Sequence, residues 1–429
     1  MRCLSRSTRR LQSLTRCAPP ASQLAADEDG AGAENRTGWV PGRVSLPGGA
    51  HAIAVSAGDS HSAALDSGGS VHAWGTFRDQ SGPMGFSPEQ KFARSPVTVY
   101  SSPSDGPPIT AIASGSDHVL MLRSDGIVLS MGVAEKGRLG RVPPREALVK
   151  IRDAPKATQP ALLARALRPA PVPGLPPIGA IGYNAYGSFF IAKDPAGGVF
   201  ACGVNNYGQL GFTEAEVAAV GAAALAAGGP GAGSLDDPAS PAAALAAELK
   251  QTVHAPKRVV QLDGVAVAAV VGAEHHTFVV TSTGAALSAG RPTYGRLGRT
   301  GDDVNVASDD HISTFAPVAG LEGAGGAATR VRSIACCSAT SAAVAQDGSM
   351  HAWGFGSTGM LGKGKDSKGN EDDTDEPRPR RIAPSKHFPA VGGIAVAVGG
   401  QHAMWLAQPL GDGLAAEARD LKRERRAEP

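Results

Sequence analysis

Aromatic side chains make up only 5% of this 429-residue chain, and long apolar runs are missing altogether. No stretch reaches the ~18 residues that a membrane-spanning helix needs. Cysteine is also sparse: Cys3, Cys17, Cys202, Cys336 and Cys337 form no CxxC pair and no Cys/His metal spacing. An odd, scattered set argues against a disulfide framework and for reduced thiols of an intracellular protein. The vicinal Cys336-Cys337 pair reads as packing. Charge of one sign is missing too, since 41 Lys and Arg face 39 Asp and Glu, a formal net of +2. That balance excludes a chain-wide nucleic-acid field and leaves charge-based recognition to local patches. No constellation supports hydrolytic or metal chemistry, and no cofactor is expected.

Glycine, at 56 residues, is abundant and points to many turns and small-residue strands. One unit recurs along the chain: a small-residue strand, a Gly-x-x-His-like element, a second strand after an Asp/Ser-Gly turn, then two spaced glycines. Its copies run over 53–85, 109–140, 178–211, 267–298 and 331–362, and a half-copy, "IAVAVGGQHAMWLAQP", covers 394–409. The glycines lie eight apart in four copies, 132 to 140, 203 to 211, 290 to 298 and 354 to 362. The first copy, "HAWGTFRDQSGPMGF", departs from this: Gly75 and Gly85 lie ten apart. Period-two alternation such as Val71-His72-Ala73-Trp74, with "SDG", "SGG" and "QDG" turns, predicts hairpin-linked strands. Units of about four short strands cannot bury both faces alone, so neighbours must stack, which predicts propeller blades. His61, His118, His276 and His402 share one register, where a histidine hydrogen-bonded between blades is the structural expectation.

Three stretches interrupt the repeat. Residues 142–177 are Pro-rich and partly basic. Residues 213–252 are Ala/Gly-rich and predict two weak helices about a Gly-Pro hinge, carrying no chemistry. Residues 363–381 run from lysines into "EDDTDEPRPRR" and predict a solvated loop. At the ends, 1–38 form a basic, transit-like or disordered segment, and 410–429 a charged tail that suits a short basic helix, a nuclear-import patch or a polar end.

The markers "VSAGDSH", "HAWGTFRDQSGPMGF", "ASGSDHVLML", "GRLGRVP", "GAEHHTF", "YGRLG" and "GGQHAMWL" occur here in an order that resembles the regulator-of-chromosome-condensation family. The resemblance covers 40–409 apart from the insertions. It implies an all-β, seven-bladed-type β-propeller, with about five complete repeats plus a half repeat present. The propeller would occupy residues 39–409. It further implies a guanine-nucleotide exchange factor for the small GTPase Ran, acting without covalent chemistry. The family carries an extended hairpin, a wedge, at the position of the lengthened interval. Phe77, Arg78, Asp79, Gln80, Ser81, Gly82, Pro83 and Met84 would form it, with Phe77 anchoring the base and Gly82 and Pro83 shaping the tip.

Matched one at a time, Asp59, Asp117, Arg141, His275 and His402 fall on the family's GTPase-facing surface; His402 also occupies the frame register. Arg145, Lys150, Arg152 and Lys156 correspond to a chromatin-binding loop. The implied setting is the nucleus, with Ran and nucleosomes as partners, no membrane, and a monomeric state. The family places one further repeat ahead of "VSAGDSH", so an open ring is expected here, from an incomplete gene model or in a compromised product. Two other readings remain: a non-catalytic propeller scaffold, which has no need of the ten-residue interval, and a UV-B photoreceptor, which needs clustered tryptophans. This chain has only Trp39, Trp74, Trp353 and Trp405.

Overall fold

Each repeat closes into a four-stranded antiparallel blade. The computed structural model describes residues 43–147, 151, 154–227, 240–299, 304–323, 326–364, 372–382, 391–400 and 402–409. The 1–38 segment, the 410–429 tail, Lys150 and Arg152 lie outside the described residues. Blade 1 comprises β1 (Ala52–Ala57), β2 (His61–Asp66) and β3 (Val71–Gly75); a small hairpin of β4 (Arg78–Asp79) and β5 (Gly82–Pro83) precedes its last strand, β6 (Ala93–Tyr100). Blade 2 is β7 (Ile109–Ser114), β8 (His118–Arg123), β9 (Val128–Gly132) and β10 (Ala170–Pro171). Helices α1 (Pro144–Ala147) and α2 (Gln159–Leu167) sit between β9 and β10.

Blade 3 is β11 (Ile178–Asn184), β12 (Gly187–Ala192), β13 (Val199–Val204) and β14 (Thr252–Arg258), with α3 (Glu214–Ala227) and α4 (Pro241–Leu249) inserted. Blade 4 is β15 (Val267–Gly272), β16 (His276–Thr281), β17 (Ala286–Gly290) and β18 (Ala316–Pro317). Blade 5 is β19 (Val331–Cys337), β20 (Thr340–Ala345), β21 (Met350–Gly354) and β22 (Glu376–Arg381), and a half-blade pairs β23 (Val391–Val398) with β24 (Ala403–Pro409). The first strands of successive blades pack in order, β1 on β7, β7 on β11, β11 on β15, β15 on β19 and β19 on β23. This is an all-β propeller of five complete blades and a half-blade.

The spaced glycines are backbone necessities. At Gly132, φ is +130° and a Cβ would stand 2.4 Å from the Asp117 carbonyl; at Gly290, φ is +119° and the clash with the His275 carbonyl would be 2.3 Å. Only glycine tolerates that conformation at that distance.

Apolar burial between blades is continuous. Leu65, Val71 and Phe77 of blade 1 share a cluster with Ile112, Val119 and Met121 of blade 2. Comparable clusters lie between blades 2 and 3, 3 and 4, 4 and 5, and 5 and the half-blade. Cys336 belongs to one of these, which gives it the packing role its sequence setting predicts.

A polar bolt pierces two of the interfaces. His118 Nε2 lies 3.1 Å from Ser188 Oγ in the next blade, and Ser188 Oγ donates to the Arg138 carbonyl at 2.7 Å. Two blades on, His276 Nε2 lies 3.0 Å from Ser341 Oγ, which donates to the Arg296 carbonyl at 3.1 Å. A serine has one proton to give, so the imidazole must donate at Nε2. Trp353 Nε1 donates to the same Arg296 carbonyl at 3.1 Å. At His118 and His276 the register thus carries the inter-blade histidine that was expected.

Main-chain bonds stitch the same joints. On one face Asp59 N donates to Ser116 O, Ser116 N to Ala185 O, and Ala185 N to Ala273 O. On the other, Ile109 N reaches Gly69 O, Ile178 N reaches Gly126 O, and Val331 N reaches Gly284 O.

One detail differs from the sequence reading. Residues 376–381 of the supposed solvated loop form β22, pairing His351 with Arg381 and Gly354 with Glu376. Pro377 and Pro379 fit because β22 is the outer edge of its blade, where a missing N–H costs no ladder bond. Among the described residues no strand joins the half-blade to blade 1. Ile53 and Val55 on β1, and Met404 and Leu406 on β24, are accordingly exposed. Ala54 faces blade 2 and Trp405 faces blade 5, so the exposed residues, which alternate with them, face the opening.

Removing one bolt isolates its value. Ser341→Ala leaves the Arg296 carbonyl and the His276 ring short of a buried partner, and should lower unfolding free energy by roughly 1–3 kcal/mol, measured by urea titration.

The buried histidines also set an acid limit. Burial holds His276 well below its ordinary value and brings His254 and His351 down to about 4. A base depressed on folding contributes stability above its unfolded value, near 6.5, that is lost as pH falls through the window down to about 4. At pH 5, His254 and His351 should each cost about 2 kcal/mol relative to neutral pH, against about 1 kcal/mol gained from the buried Asp117 carboxyl. Urea midpoints should therefore fall between pH 7 and pH 5.

Candidate functional site: a hairpin on a charged ridge

The two extra residues of the first repeat build the β4–β5 hairpin. Arg78 pairs with Pro83 and Asp79 with Gly82, which leaves Gln80 and Ser81 at the tip. Pro83 is therefore a rung of the hairpin and does not shape the tip as expected; Gly82, at φ +119°, provides the turn. Ser81 N donates to Asp79 Oδ1 at 2.7 Å, a local Asx bond that closes the turn. Arg78 and Gln80 are exposed.

The base is apolar, as expected for Phe77. That ring is fully buried between His61, at 4.7 Å, and Phe86, at 5.0 Å. Met84 N donates to Phe77 O at 2.8 Å, and Thr76 Oγ1 bonds the Lys91 carbonyl at 2.7 Å.

The hairpin leans on blade 2 through two carboxylates. Asp117 Oδ1 accepts the Arg78 amide at 2.9 Å, and Asp117 Oδ2 lies 3.7 Å from Arg138 Nη1. Burial raises the Asp117 carboxyl to about 6 against the pull of Arg138, and exposed Asp59 nearby pushes the same way as burial. Glu135 lies beside the Gln80 main chain and is likewise raised, chiefly by burial. Asp117 binds the hairpin backbone, so it fixes the hairpin's position whatever its side chains are.

From Arg138 a charged and aromatic ridge crosses blades 3 and 4. Lys136 Nζ stands 4.0 Å above the Tyr186 ring and the Arg138 guanidinium 5.0 Å from it. Burial, with the neighbouring Glu274 carboxylate, carries the Tyr186 phenol up to about 12. His275 stacks edge-on against Tyr207 at 4.9 Å, and the Arg291 guanidinium covers the same ring at 5.0 Å. Arg291 also binds Asp309 at 2.6 Å. Arg296 lies 5.5 Å over Tyr294. The α3–α4 insertion brings one charge to this region: Glu248 at the end of α4 lies close enough to Lys136 for the two charges to interact.

Of the sequence-predicted residues, the wedge, Asp59, Asp117 and His275 therefore share one face. His402 lies on the half-blade, its carbonyl accepting from Gly399 N at 2.7 Å in the same turn that His61, His118 and His276 make in their blades. Arg145 and Lys156 are exposed on and beside α1.

Arg141, expected to face the GTPase, is turned inward. It donates to Ser130 O and Oγ, Arg165 O, Ala166 O and Arg168 O. Its repeat counterpart Arg299 likewise donates to its own blade, at Ser288 O and Thr314 O. The position is frame in both copies, which explains the inward turn.

Sequence reasoning missed Glu135, Arg138, Tyr186, Tyr207, Glu274, Arg291 and Arg296. The usable signal was the residue before Leu in the "GxLG" turn, which is Arg at 138 and 296 but Gln209 and Met360 elsewhere. Among the described residues no three His, Cys, Asp or Glu converge to hold a metal ion, and no helix is long and apolar enough to cross a membrane.

The Asp117–Arg78 bond makes a titratable marker of the hairpin. A carboxyl raised to about 6 is favoured in its neutral form by folding, so its ionised, stronger acceptor state is lost as pH falls through 6. The Arg78 amide proton shift should titrate with a midpoint near 6, and Asp117→Asn should abolish that titration.

A family model described as the RCC1-like domain matches residues 21–405. The chain is 32% identical over 329 residues to the regulator of chromosome condensation of Mus musculus, covering 76% of this chain and 65% of that protein. Against guanine nucleotide exchange factor SRM1 of Saccharomyces cerevisiae it is 28% identical, covering 81% and 61%. The chain thus spans just under two thirds of these relatives' length. Among solved structures, Prp20p of Saccharomyces cerevisiae, described with its binding to Gsp1p and histones, superposes with a TM-score of 0.65 at 25% identity, over 87% of this chain and 72% of that one.

Proposed function

Since the chain belongs to the RCC1-like domain family, we propose that it is a guanine-nucleotide exchange factor for the small GTPase Ran, working through the β4–β5 hairpin as a wedge. The observation that carries this reading is the hairpin itself: it is built by the one lengthened Gly-to-Gly interval, and its backbone is held by Asp117 on the ridge, with Glu135 alongside. The names of relatives that exchange nucleotide or bind Gsp1p support the same reading.

No bond is made or broken. The protein binds nucleotide-free GTPase more tightly than the loaded form, which speeds release in both directions and leaves the final equilibrium unchanged. The rigid hairpin, with Gln80 and Ser81 at its tip, enters between the nucleotide-binding elements. Asp59, Asp117 and Glu274 meet basic side chains of the GTPase, and His275 and Arg291 meet acidic or polar ones. Preorganisation by Asp117 and by the Asp79–Ser81 turn bond spares the complex the cost of ordering the tip.

A nuclear, chromatin-associated setting belongs to the same proposal. Exposed Arg145 and Lys156 would contribute to a nucleosome contact, with Lys150 and Arg152 beside them in sequence.

The test is release of fluorescent GDP from Ran. Wild-type protein should accelerate it. A variant with the 77–84 loop shortened by two residues, to the eight-residue spacing, should lose at least tenfold in rate. Equal activity in the two proteins would sink the wedge assignment.

A further inference from the structure

The hairpin touches more than the ridge. Phe77 and Met84, which close its two ends, belong to the same apolar cluster as Ala166 and Leu167 of α2, with Leu163 and Ile151 packed against it. A cavity of about 30 Å³ separates Asp79 and Met84 from Ala147, Ile151, Leu162 and Ala166. Only a few waters fit there, so the insertion and the hairpin face each other across a small gap. Arg165 of α2 binds Glu146 of α1 at 2.7 Å, which joins the two short helices into one support.

Alone, α2 cannot hold itself. Nine residues are too few for a stable isolated helix, because nucleation outweighs the few bonds gained. Its last turn is fastened from outside by Arg141. Nη1 donates to Arg165 O at 2.8 Å, and Nη2 to Ala166 O at 3.2 Å and Arg168 O at 3.1 Å. Nε meanwhile grips Ser130 Oγ at 3.0 Å and Ser130 O at 3.2 Å in the middle of β9. The guanidinium therefore satisfies carbonyls left open at the helix C-terminus, places a positive charge at its negative end, and ties both to a central strand. Planar, five-donor geometry suits this; a lysine ammonium has three donors on one atom and cannot span it.

We propose that α2 is the buttress of the hairpin and that Arg141 is its positioning residue, acting on nucleotide exchange through α2 and not by touching the GTPase. This rests on the wedge reading above. Arg141→Lys and Arg141→Ala should loosen α2 and then the hairpin, so that a correctly bound GTPase meets a tip that is less often in place. The maximal exchange rate should fall about tenfold while the concentration of Ran giving half that rate changes less than twofold.

Hydrogen–deuterium exchange of the free protein supplies a readout independent of exchange activity. Both variants should speed amide exchange at 165–168 and at 77–84, while β16 and β20, two and three blades away, keep wild-type protection. Leu163→Ala provides a second route: it shaves the α2 face packed on the cluster, leaves every Arg141 bond in place, and should also deprotect 77–84 and lower the maximal rate. If 165–168 loosens and 77–84 does not, the buttress is overturned. If half-saturation shifts and the maximal rate holds, Arg141 is a contact residue and the proposal fails. Should the shortened-loop protein stay active, the wedge reading falls instead; deprotection of 77–84 in the Arg141 variants would still establish the mechanical link.

Discussion

Everything in this ring depends on the direction of a single hydroxyl proton. At two joints a serine donates to a backbone carbonyl of the preceding blade and receives from that blade's histidine. The arrangement has only one consistent proton order, with imidazole Nε2 the donor to serine and serine the donor to the carbonyl. It fixes the sliding and tilt of neighbouring sheets, which apolar contact alone would leave loosely specified. The carbonyls it fixes belong to Arg138 and Arg296, so the residues that set the blade angle also carry the guanidinium groups of the ridge.

Frame and function are therefore separated by atom, not by residue. The backbone of Arg138 is part of the bolt, and its side chain faces Asp117 and Tyr186. Repeats permit this economy because the main chain of each unit is under the same constraint while side chains at the blade ends are free to differ. Arg141 and Arg299 show the converse: their side chains are spent on the frame.

Legibility in the sequence followed that division. Glycine spacing, hairpin turns and the histidine register arise from local constraints repeated in each blade, and so the architecture and the lengthened interval could be read directly. The ridge could not, because it depends on which side chains from four blades arrive at the same face. Arg141 looked like a surface residue since nothing in "GRLGRVP" discloses that α2 will end against it. The "EPRPRR" segment looked like a loop because prolines and charges conceal an edge strand.

The hairpin belongs covalently to blade 1 and mechanically to blade 2. Its two ends emerge from the first sheet, yet the groups that aim it, Asp117 and the α2 surface, come from the second. A part mounted across a joint moves whenever the joint moves. The tip is thus a pointer that magnifies small rotations between these two sheets, and the stiffness of that one seam sets how sharply the pointer is aimed.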